Sequence, residues 1–195
     1  MKHFVIGAGA HANEIMEQLS QKFPNKVKIL SLEQEMDQLN CDDAFQNCYY
    51  IGIGFPEIRL KVIERWRQHI NVFPELVSNS SNISPSAKLS NACVVEFGAV
   101  VSSHSFIDIG VLINWNSTVG HDVVIGKGSV ISPNASVSGG CLIHEGVLIG
   151  TGARILPHIE IGKNAIIGAG AVVTKNVEEN ATMIGIPARR KYNAK

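Results

Sequence analysis

A repeat of six residues runs through the second half of the chain. Every sixth residue from Ile83 to Val173 is Ile, Val or Leu, and no insertion breaks the register. Two positions before each aliphatic residue stands a small or β-branched one, such as Cys93 or Ala135. Residues two apart in a strand point to the same side, so both positions would face inward. Such hexapeptides, three to a coil, are typical of a triangular parallel β-helix.

The repeat predicts about five coils, stacked at the usual strand spacing of about 4.8 Å. Residues three hexapeptides apart then lie directly above one another, and their outward positions define three faces. Two of the faces are apolar and need a cover, either further copies of the chain in a homotrimer or, as the alternative, the N-terminal region or the C-terminal tail. Face 1 carries Val94, Leu112, Val130, Leu148 and Ile166, face 2 carries Phe106, Val124, Leu142 and Glu160, and face 3 carries Val100, Thr118, Ser136, Arg154 and Val172.

The first 80 residues follow a different pattern. The apolar run Phe4-Val5-Ile6 precedes Gly7-Ala8-Gly9-Ala10-His11-Ala12 and an amphipathic stretch. This pattern, GxGxxA, turns a helix N-terminus and free N–H groups toward an anion such as a phosphate. The second strand ends in Leu30-Ser31-Leu32 without an acidic residue, which disfavours a nicotinamide dinucleotide. We predict a nucleotide or nucleotide-sugar pocket, and a tight turn without a ligand is the alternative.

The composition restricts the classes of function. Seventeen basic residues balance 17 acidic ones, which argues against binding nucleic acid through its phosphates. No run of apolar residues is long enough to cross a membrane, and no signal peptide is evident, so we expect a cytoplasmic protein. The four cysteines form no CxxC pair, and the histidines of the repeat are spaced unlike a metal-binding set. We expect no metal.

One pair of residues in the repeat suggests catalysis. His121 lies just past Val119, at the corner between face 3 and face 2, and Asp122 follows it and could orient its ring. One coil above comes Gly139, whose amide could receive a developing oxyanion. A base, an orienting carboxylate and an amide donor at one corner indicate acyl transfer, whereas a solvated surface histidine is the alternative.

Four segments give the whole chain a resemblance to a known family. They are Ile6-Gly7-Ala8-Gly9-Ala10-His11-Ala12, Ile53-Gly54 with Glu57-Ile58-Arg59, Val119-Gly120-His121-Asp122, and Ile184-Gly185-Ile186-Pro187-Ala188-Arg189. With them the chain resembles the NeuD/PglD group of sugar O- and N-acyltransferases. The resemblance implies a Rossmann-like α/β domain over 1–80, followed by a left-handed parallel β-helix with a C-terminal tail over 81–195. It also implies a homotrimer with active sites at subunit interfaces and acetyl-CoA as the co-substrate.

The resemblance assigns roles to individual residues. His121 would be the general base, with Asp122 beside it and the Gly139 amide facing the acetyl carbonyl. Substrate-binding residues would be Gly7, Gly9, His11, Gly54 and Asn114. Residues along CoA would be Gly139, Gly152, Ala169, Gly185, Pro187, Arg189 and Arg190.

The sequence departs from the family pattern at three places. Val130 stands where many relatives have a second histidine, Gly54-Phe55-Pro56 replaces Gly-Asn-Asn, and Ser31-Leu32 replaces an acidic residue. The resemblance implies acetyl transfer to the 4-amino group of a nucleotide-linked 4-amino-4,6-dideoxy sugar. The alternatives are O-acetylation of a sugar hydroxyl, on sialic acid or another surface sugar, and a non-catalytic trimeric scaffold.

Overall fold

The N-terminal part alternates strands and helices around a parallel sheet. A computed structural model describes residues 1–39, 41 and 44–191. The sheet has the strand order β2-β1-β3. The sequence pattern did not predict the second helix. The elements are β1 (His3–Ile6), α1 (Ala10–Lys22), β2 (Val27–Leu30), α2 (Leu32–Leu39), β3 (Cys48–Ile51) and α3 (Pro56–Arg65), with 3₁₀ segments at Ala44–Gln46 and Arg67–Val72.

The remaining described residues form a parallel β-solenoid of about six turns. The prediction of about five coils is therefore wrong by one. The first strand of the solenoid lies at Leu76–Val77, one hexapeptide before Ile83, and pairs in parallel with Val94–Val95. In chain order the strands β4 to β22 are Leu76–Val77, Asn82–Ile83, Lys88–Leu89, Val94–Val95, Val100–Val101, Phe106–Ile107, Leu112–Ile113, Thr118–Val119, Val124–Ile125, Val130–Ile131, Ser136–Val137, Leu142–Ile143, Leu148–Ile149, Arg154–Ile155, Glu160–Ile161, Ile166–Ile167, Val172–Val173, Thr182–Ile184 and Arg189–Arg190.

The three faces correspond to three sheets. Face 1 has the order β22-β21-β19-β16-β13-β10-β7-β4, face 3 the order β20-β17-β14-β11-β8-β5, and face 2 the order β18-β15-β12-β9-β6. Each strand pairs with the strand one coil away, as in Leu112↔Val130 and Thr118↔Ser136. Only β22 runs antiparallel to its neighbour among the described strands. The predicted register of residues three hexapeptides apart is confirmed.

The repeated aliphatic residues fill the inside of the solenoid. From Val95 to Val173 every one of them is buried in a single apolar cluster, and Ile83 and Leu89 pack partly buried against it. Cys93 and Cys141 are buried in the same cluster and unpaired, as expected of core residues. Each hexapeptide thus contributes one large and one small inward side chain to the core of the triangular solenoid.

The N-terminal part covers the lower half of face 1. Val94, Leu112 and Val130 are buried in a cluster that includes Ile15 and Leu19 of α1. The structure thus shows that this part of face 1 is covered by the same chain. Val130, the residue at the place of the relatives' second histidine, therefore lies under a helix.

A buried arginine joins the two parts. Arg59 of α3 is fully buried and donates hydrogen bonds to the carbonyl oxygens of Gly110 (2.9 Å), Ile51 (3.0 Å) and Ile53 (2.7 Å). Burial lowers the pKa of its guanidinium to about 10. The side chain links the carboxyl end of β3 to a turn of the solenoid, and so fixes how the two parts sit together.

Face 2 stays open to solvent. Phe106, Val124 and Leu142 are 42%, 39% and 38% exposed and lie in adjacent strands. They form a continuous apolar stripe. Among the described residues, no helix is both long and apolar enough to cross a membrane.

Leu112→Ala tests the joint between the two parts. Leu112 is fully buried between α1 and the solenoid. Its truncation should lower the free energy of unfolding by about 2–5 kcal/mol, because a cavity is left that the two parts cannot close. Urea unfolding followed by circular dichroism measures the change. Leu156→Ala is the control, since Leu156 is 41% exposed; equal losses in the two variants would contradict the packing described.

Candidate active site

His121 and Asp122 occupy the turn between face 3 and face 2, after β11. Nδ1 of His121 lies 2.7 Å from Oδ2 of Asp122. Because a carboxylate can only accept a hydrogen bond, this contact places the proton on Nδ1 and leaves the Nε2 lone pair free. The backbone N–H of Asp122 donates to the Ser103 carbonyl one coil below at 3.0 Å, which holds the turn in place. The pair is arranged to accept a proton at Nε2.

Gly139 lies directly against the free nitrogen of His121. A β-carbon added at Gly139 would stand 2.6 Å from Nε2, so only glycine leaves room for the ring in this position. The N–H of Gly140 donates to the His121 carbonyl at 2.9 Å, whereas the N–H of Gly139 bonds to no backbone carbonyl among the described residues. The predicted trio therefore lies together, with a free amide beside the base.

The substrate-binding residues predicted in the N-terminal part also lie together. Gly7, Gly9, His11 and Gly54 line one cavity of about 570 Å³ at the carboxyl ends of the strands. The N-terminus of α1 opens onto it, with Gly9 at the N-cap position and no side chain capping the helix. This arrangement suits an anion, because free N–H groups and the positive end of the helix dipole face the cavity.

His11 brings a neutral imidazole to this cavity. Burial, and next the charge of Arg59, lower its pKa to about 4. Nδ1 lies 3.3 Å from Glu14 Oε2, while Nε2 is buried without a hydrogen-bond partner among the described residues. His11 is thus a neutral hydrogen-bonding group at neutral pH.

Sequence reasoning missed an acidic residue at this cavity. Glu33 lines it together with Ser31 and Leu32, although no acidic residue ends β2. It stands in the first turn of α2, which starts at Leu32. A helix starting directly after β2 is the signal that would have revealed it.

Asn114 and the residues expected along CoA other than Gly139 lie on a different edge of the solenoid. Asn114, Gly152 and Ala169 lie in turns between face 1 and face 3, with one further turn between those of Asn114 and Gly152, and the Gly185 carbonyl bonds to Val172 at the top of that edge. Space is open beside Gly152, and Ala169 is exposed. Pro187, Arg189 and Arg190 follow in the tail, where Arg190 pairs with Glu178.

The predicted site residues therefore form three separate groups in one chain. The His121 group lies on the edge between faces 3 and 2, the Asn114 and tail group on the edge between faces 1 and 3, and the cavity group in the N-terminal part. A larger cavity of about 910 Å³ lies between α3 and the upper part of face 1, and no predicted site residue lines it. The described residues also contain no group of three or more His, Cys, Asp or Glu side chains that could hold a metal ion.

A buried carboxyl lies between α1 and the Asn114 turn. Glu96 follows β7 and is 2% exposed, and its Oε1 has no hydrogen-bond partner among the described residues. Burial, and next the charge of Glu14, raise its pKa to about 7. The protein therefore carries an acid that changes charge near neutral pH.

Comparisons with known proteins agree with this arrangement. The family model described as "Bacterial transferase hexapeptide (six repeats)" matches residues 140–175. A mutant of perosamine N-acetyltransferase from Caulobacter crescentus, solved with CoA and GDP-perosamine, has a TM-score of 0.90 at 24% identity, covering 99% of this chain and 98% of that one. At that identity the likeness shows a shared fold.

Two further solved structures are similar over nearly their whole length. The acetyltransferase domain of PglB from Neisseria gonorrhoeae FA1090, in complex with acetyl coenzyme A, has a TM-score of 0.87 at 26% identity, covering 97% of this chain and 98% of that one. WeeI from Acinetobacter baumannii AYE has a TM-score of 0.86 at 26% identity, covering 98% and 100%. The comparisons confirm the hexapeptide repeat and the class of enzyme predicted from the sequence, an acyltransferase acting on sugars.

Glu96→Gln tests the buried carboxyl through the pH dependence of stability. Folding raises the pKa of Glu96, so the residue does not lower the unfolding free energy at a pH below its pKa in the unfolded chain. The unfolding free energy falls as the pH rises through about 7, because the buried carboxyl then ionises. The unfolding free energy of the variant, relative to wild type, should rise by about 3 kcal/mol between pH 4.5 and pH 8. Denaturant titrations across that range measure it, with Glu17→Gln on the exposed side of α1 as the control. If the difference in unfolding free energy between Glu96→Gln and wild type did not change with pH, Glu96 would be ionised over the whole range tested.

Proposed function

We propose that this chain, a hexapeptide-repeat sugar acyltransferase of the NeuD/PglD type, transfers the acetyl group of acetyl-CoA to the 4-amino group of a nucleotide-linked 4-amino-4,6-dideoxy sugar. The observation that carries the proposal is the His121 ring held by Asp122 beneath the free amide of Gly139. This set provides what acyl transfer to an amine requires: a base, a group that orients it and a donor for the oxyanion.

The nitrogen of the acceptor's amino group attacks the thioester carbon, and His121 takes a proton from that amino group as it does so. Asp122 keeps the proton on Nδ1 and stabilises the imidazolium that forms. The N–H of Gly139 donates to the carbonyl oxygen as negative charge develops there. When the carbon–sulfur bond breaks, the thiolate of CoA departs and the amide product remains. Transfer is direct, with neither a covalent enzyme intermediate nor a metal.

The N-terminal cavity suits the nucleotide part of the acceptor. We take this region as Rossmann-like, with the diphosphate at the N-terminus of α1 beside Gly7 and Gly9. Glu33 supplies an acceptor for ribose hydroxyls or a base N–H, and neutral His11 supplies a hydrogen bond. The structurally similar perosamine enzyme was solved with a nucleotide-linked sugar, GDP-perosamine.

Acetyl-CoA fits the edge between faces 1 and 3. The open space at Gly152 and the exposed Ala169 leave room for the pantetheine chain. Arg189 and Arg190 lie at the end of that edge, where cationic groups would meet the phosphates. The similar PglB domain was solved with acetyl coenzyme A.

We further propose a homotrimer whose active sites lie at subunit interfaces. The apolar stripe on face 2 provides a surface for such contacts. A neighbouring chain would also bring the His121 edge of one protomer to the Asn114 edge and cavity of another, since one chain keeps them apart. We keep the division at residue 80, with 1–80 holding the acceptor and 81–195 the donor, of which 192–195 lie outside the described residues. Because acetyl-CoA and nucleotide sugars are cytoplasmic metabolites, we place the enzyme in the cytoplasm.

His121→Ala tests the proposed function. CoA thiol release from acetyl-CoA is measured with GDP-perosamine and with a UDP-4-amino-4,6-dideoxy sugar as acceptors. Release should require the acceptor and fall by roughly 10²–10⁴-fold in the variant, because the amine loses its base. The affinity for CoA should stay nearly unchanged.

The control for this test is His144→Ala, an exposed histidine on another edge that pairs with Glu160. It should release CoA at the wild-type rate. Wild-type release with free sugars bearing only hydroxyl groups, and none with the amino sugars, would favour the O-acetylation alternative. An unchanged rate in His121→Ala would rule out the assigned base.

Leu142→Asp tests the trimer. A charge in the exposed stripe of face 2 should convert trimers into monomers and abolish CoA release, because each site needs two chains. Analytical ultracentrifugation gives the mass, and circular dichroism checks the fold. Lys28→Asp, on β2 of the N-terminal sheet, is the matched control. A monomeric variant with full activity would show that one chain carries a complete site.

A further inference from the structure

A second imidazole lies against the glycine pair that His121 contacts. His158 occupies the turn two coils above His121, on the same edge between faces 3 and 2. Its backbone N–H donates to the Gly139 carbonyl at 3.0 Å. A β-carbon at Gly140 would collide with Nδ1 of His158 and stand 2.8 Å from Cε1. Gly139 and Gly140 are therefore enclosed by His121 on one side and His158 on the other.

The residues in the left-handed turn position distinguish this edge from the other two. That position is occupied only by Gly, Asn or Ala on the other edges: Gly98, Asn116, Asn134, Gly152 and Gly170 between faces 1 and 3, and Ala92, Gly110, Gly128, Gly146 and Asn164 between faces 2 and 1. On the edge of His121 it holds His104, Asp122, Gly140 and His158.

A histidine in this position is costly for the turn. His158 has φ 60, a conformation that costs a non-glycine residue roughly 1–2 kcal/mol and that Gly or Asn adopts more readily. Burial in the core does not explain the choice, because His158 is exposed. Functional groups retained at a strained backbone position are typical of active sites.

The spacing fits the two ends of a thioester undergoing transfer. His121 and His158 belong to turns two coils apart, about 9.6 Å at the strand spacing, and both rings reach into the coil between them. The two rings must hold the reacting carbon between two hydrogen bonds of about 3 Å each. This arrangement requires a distance between the rings on the order of 8 Å. One ring can thus meet the attacking amine while the other meets the leaving sulfur.

We propose that His158 is a second catalytic residue, which donates an N–H hydrogen bond to the sulfur of the departing CoA thiolate. The inference rests on the proposed function. The new C–N bond forms as the C–S bond breaks, the amine proton goes to His121, and the electron pair of the C–S bond stays on sulfur. His158 stabilises that charge, and the thiolate later takes a proton from solvent. Along this edge, Lys175 lies one coil above His158 and Asp122 two coils below it.

Two substitutions separate this role from mere packing. His158→Asn keeps an N–H donor and suits the left-handed turn, whereas His158→Phe keeps a ring against Gly140 without a donor. If the N–H acts on sulfur, kcat should fall by about 10- to 100-fold in His158→Phe and by less in His158→Asn, with the KM for the acceptor changed by about twofold at most. If the His158 ring only packs against Gly140, kcat should fall more in His158→Asn than in His158→Phe. Asn164→Phe, at the same turn position on another edge, controls for the strain of Phe in this conformation.

A second measurement does not depend on the acceptor. The ultraviolet absorbance of the CoA thiolate is titrated with pH for CoA bound to each protein. His158→Phe should raise the pKa of the bound thiol by about 1 unit relative to wild type, and His158→Asn by less. Equal thiol pKa values in wild type and His158→Phe would overturn this inference while leaving the proposed function intact. A wild-type protein that neither binds CoA nor releases its thiol would overturn both.

Discussion

The backbone hydrogen bonds between successive coils determine the rest of the structure. Each strand of the solenoid pairs in parallel with the strand one coil away, and the turns are joined in the same way, as in the bond from Gly140 to His121. Because the coil length stays at 18 residues from Leu76 to Val173 and becomes 16 only in the last coil, residues at the same position of neighbouring coils are stacked into columns. A base in one coil and an amide in the next meet without any long-range rearrangement. Because of this regularity, turn residues of different coils that contact one another lie on the same edge of the solenoid.

The N-terminal part is held to one face of that column by two different forces. Apolar side chains of α1 bury Leu112 and its neighbours, and Arg59 adds directional hydrogen bonds to Gly110 and to the end of β3. As a result, the N-terminal cavity and His121 lie on opposite sides of the solenoid. The fold of one chain therefore keeps the groups of predicted site residues apart. That division, together with the open stripe on face 2, gives the proposed trimer a catalytic reason.

Prediction from sequence succeeded where a local pattern repeats and failed where a single residue depends on its surroundings. The aliphatic register determined the solenoid and the contact between His121, Asp122 and Gly139, because a fixed coil length converts sequence separation into distance. The extra coil was missed because its strands lie outside the run from Ile83 to Val173: Leu76–Val77 comes before it, and Val177 and Thr182–Ile184 come after it. Glu33 was missed because its place depends on where α2 begins. The register places His158 one coil above Gly140, but only the structure shows that its ring lies against that glycine.

The sequence by itself determined the class of fold, which follows from the periodicity, and the class of enzyme, which follows from short motifs. The one-coil register also brought His121, Asp122 and Gly139 together, whereas their catalytic roles stay predictions. Only the tertiary structure decided which face the N-terminal part covers, that the pKa of Glu96 lies near 7 and that of His11 near 4, and that a second imidazole encloses the glycine pair. These properties arise from burial and from side-chain direction. Both depend on residues distant in sequence, so no local pattern records them.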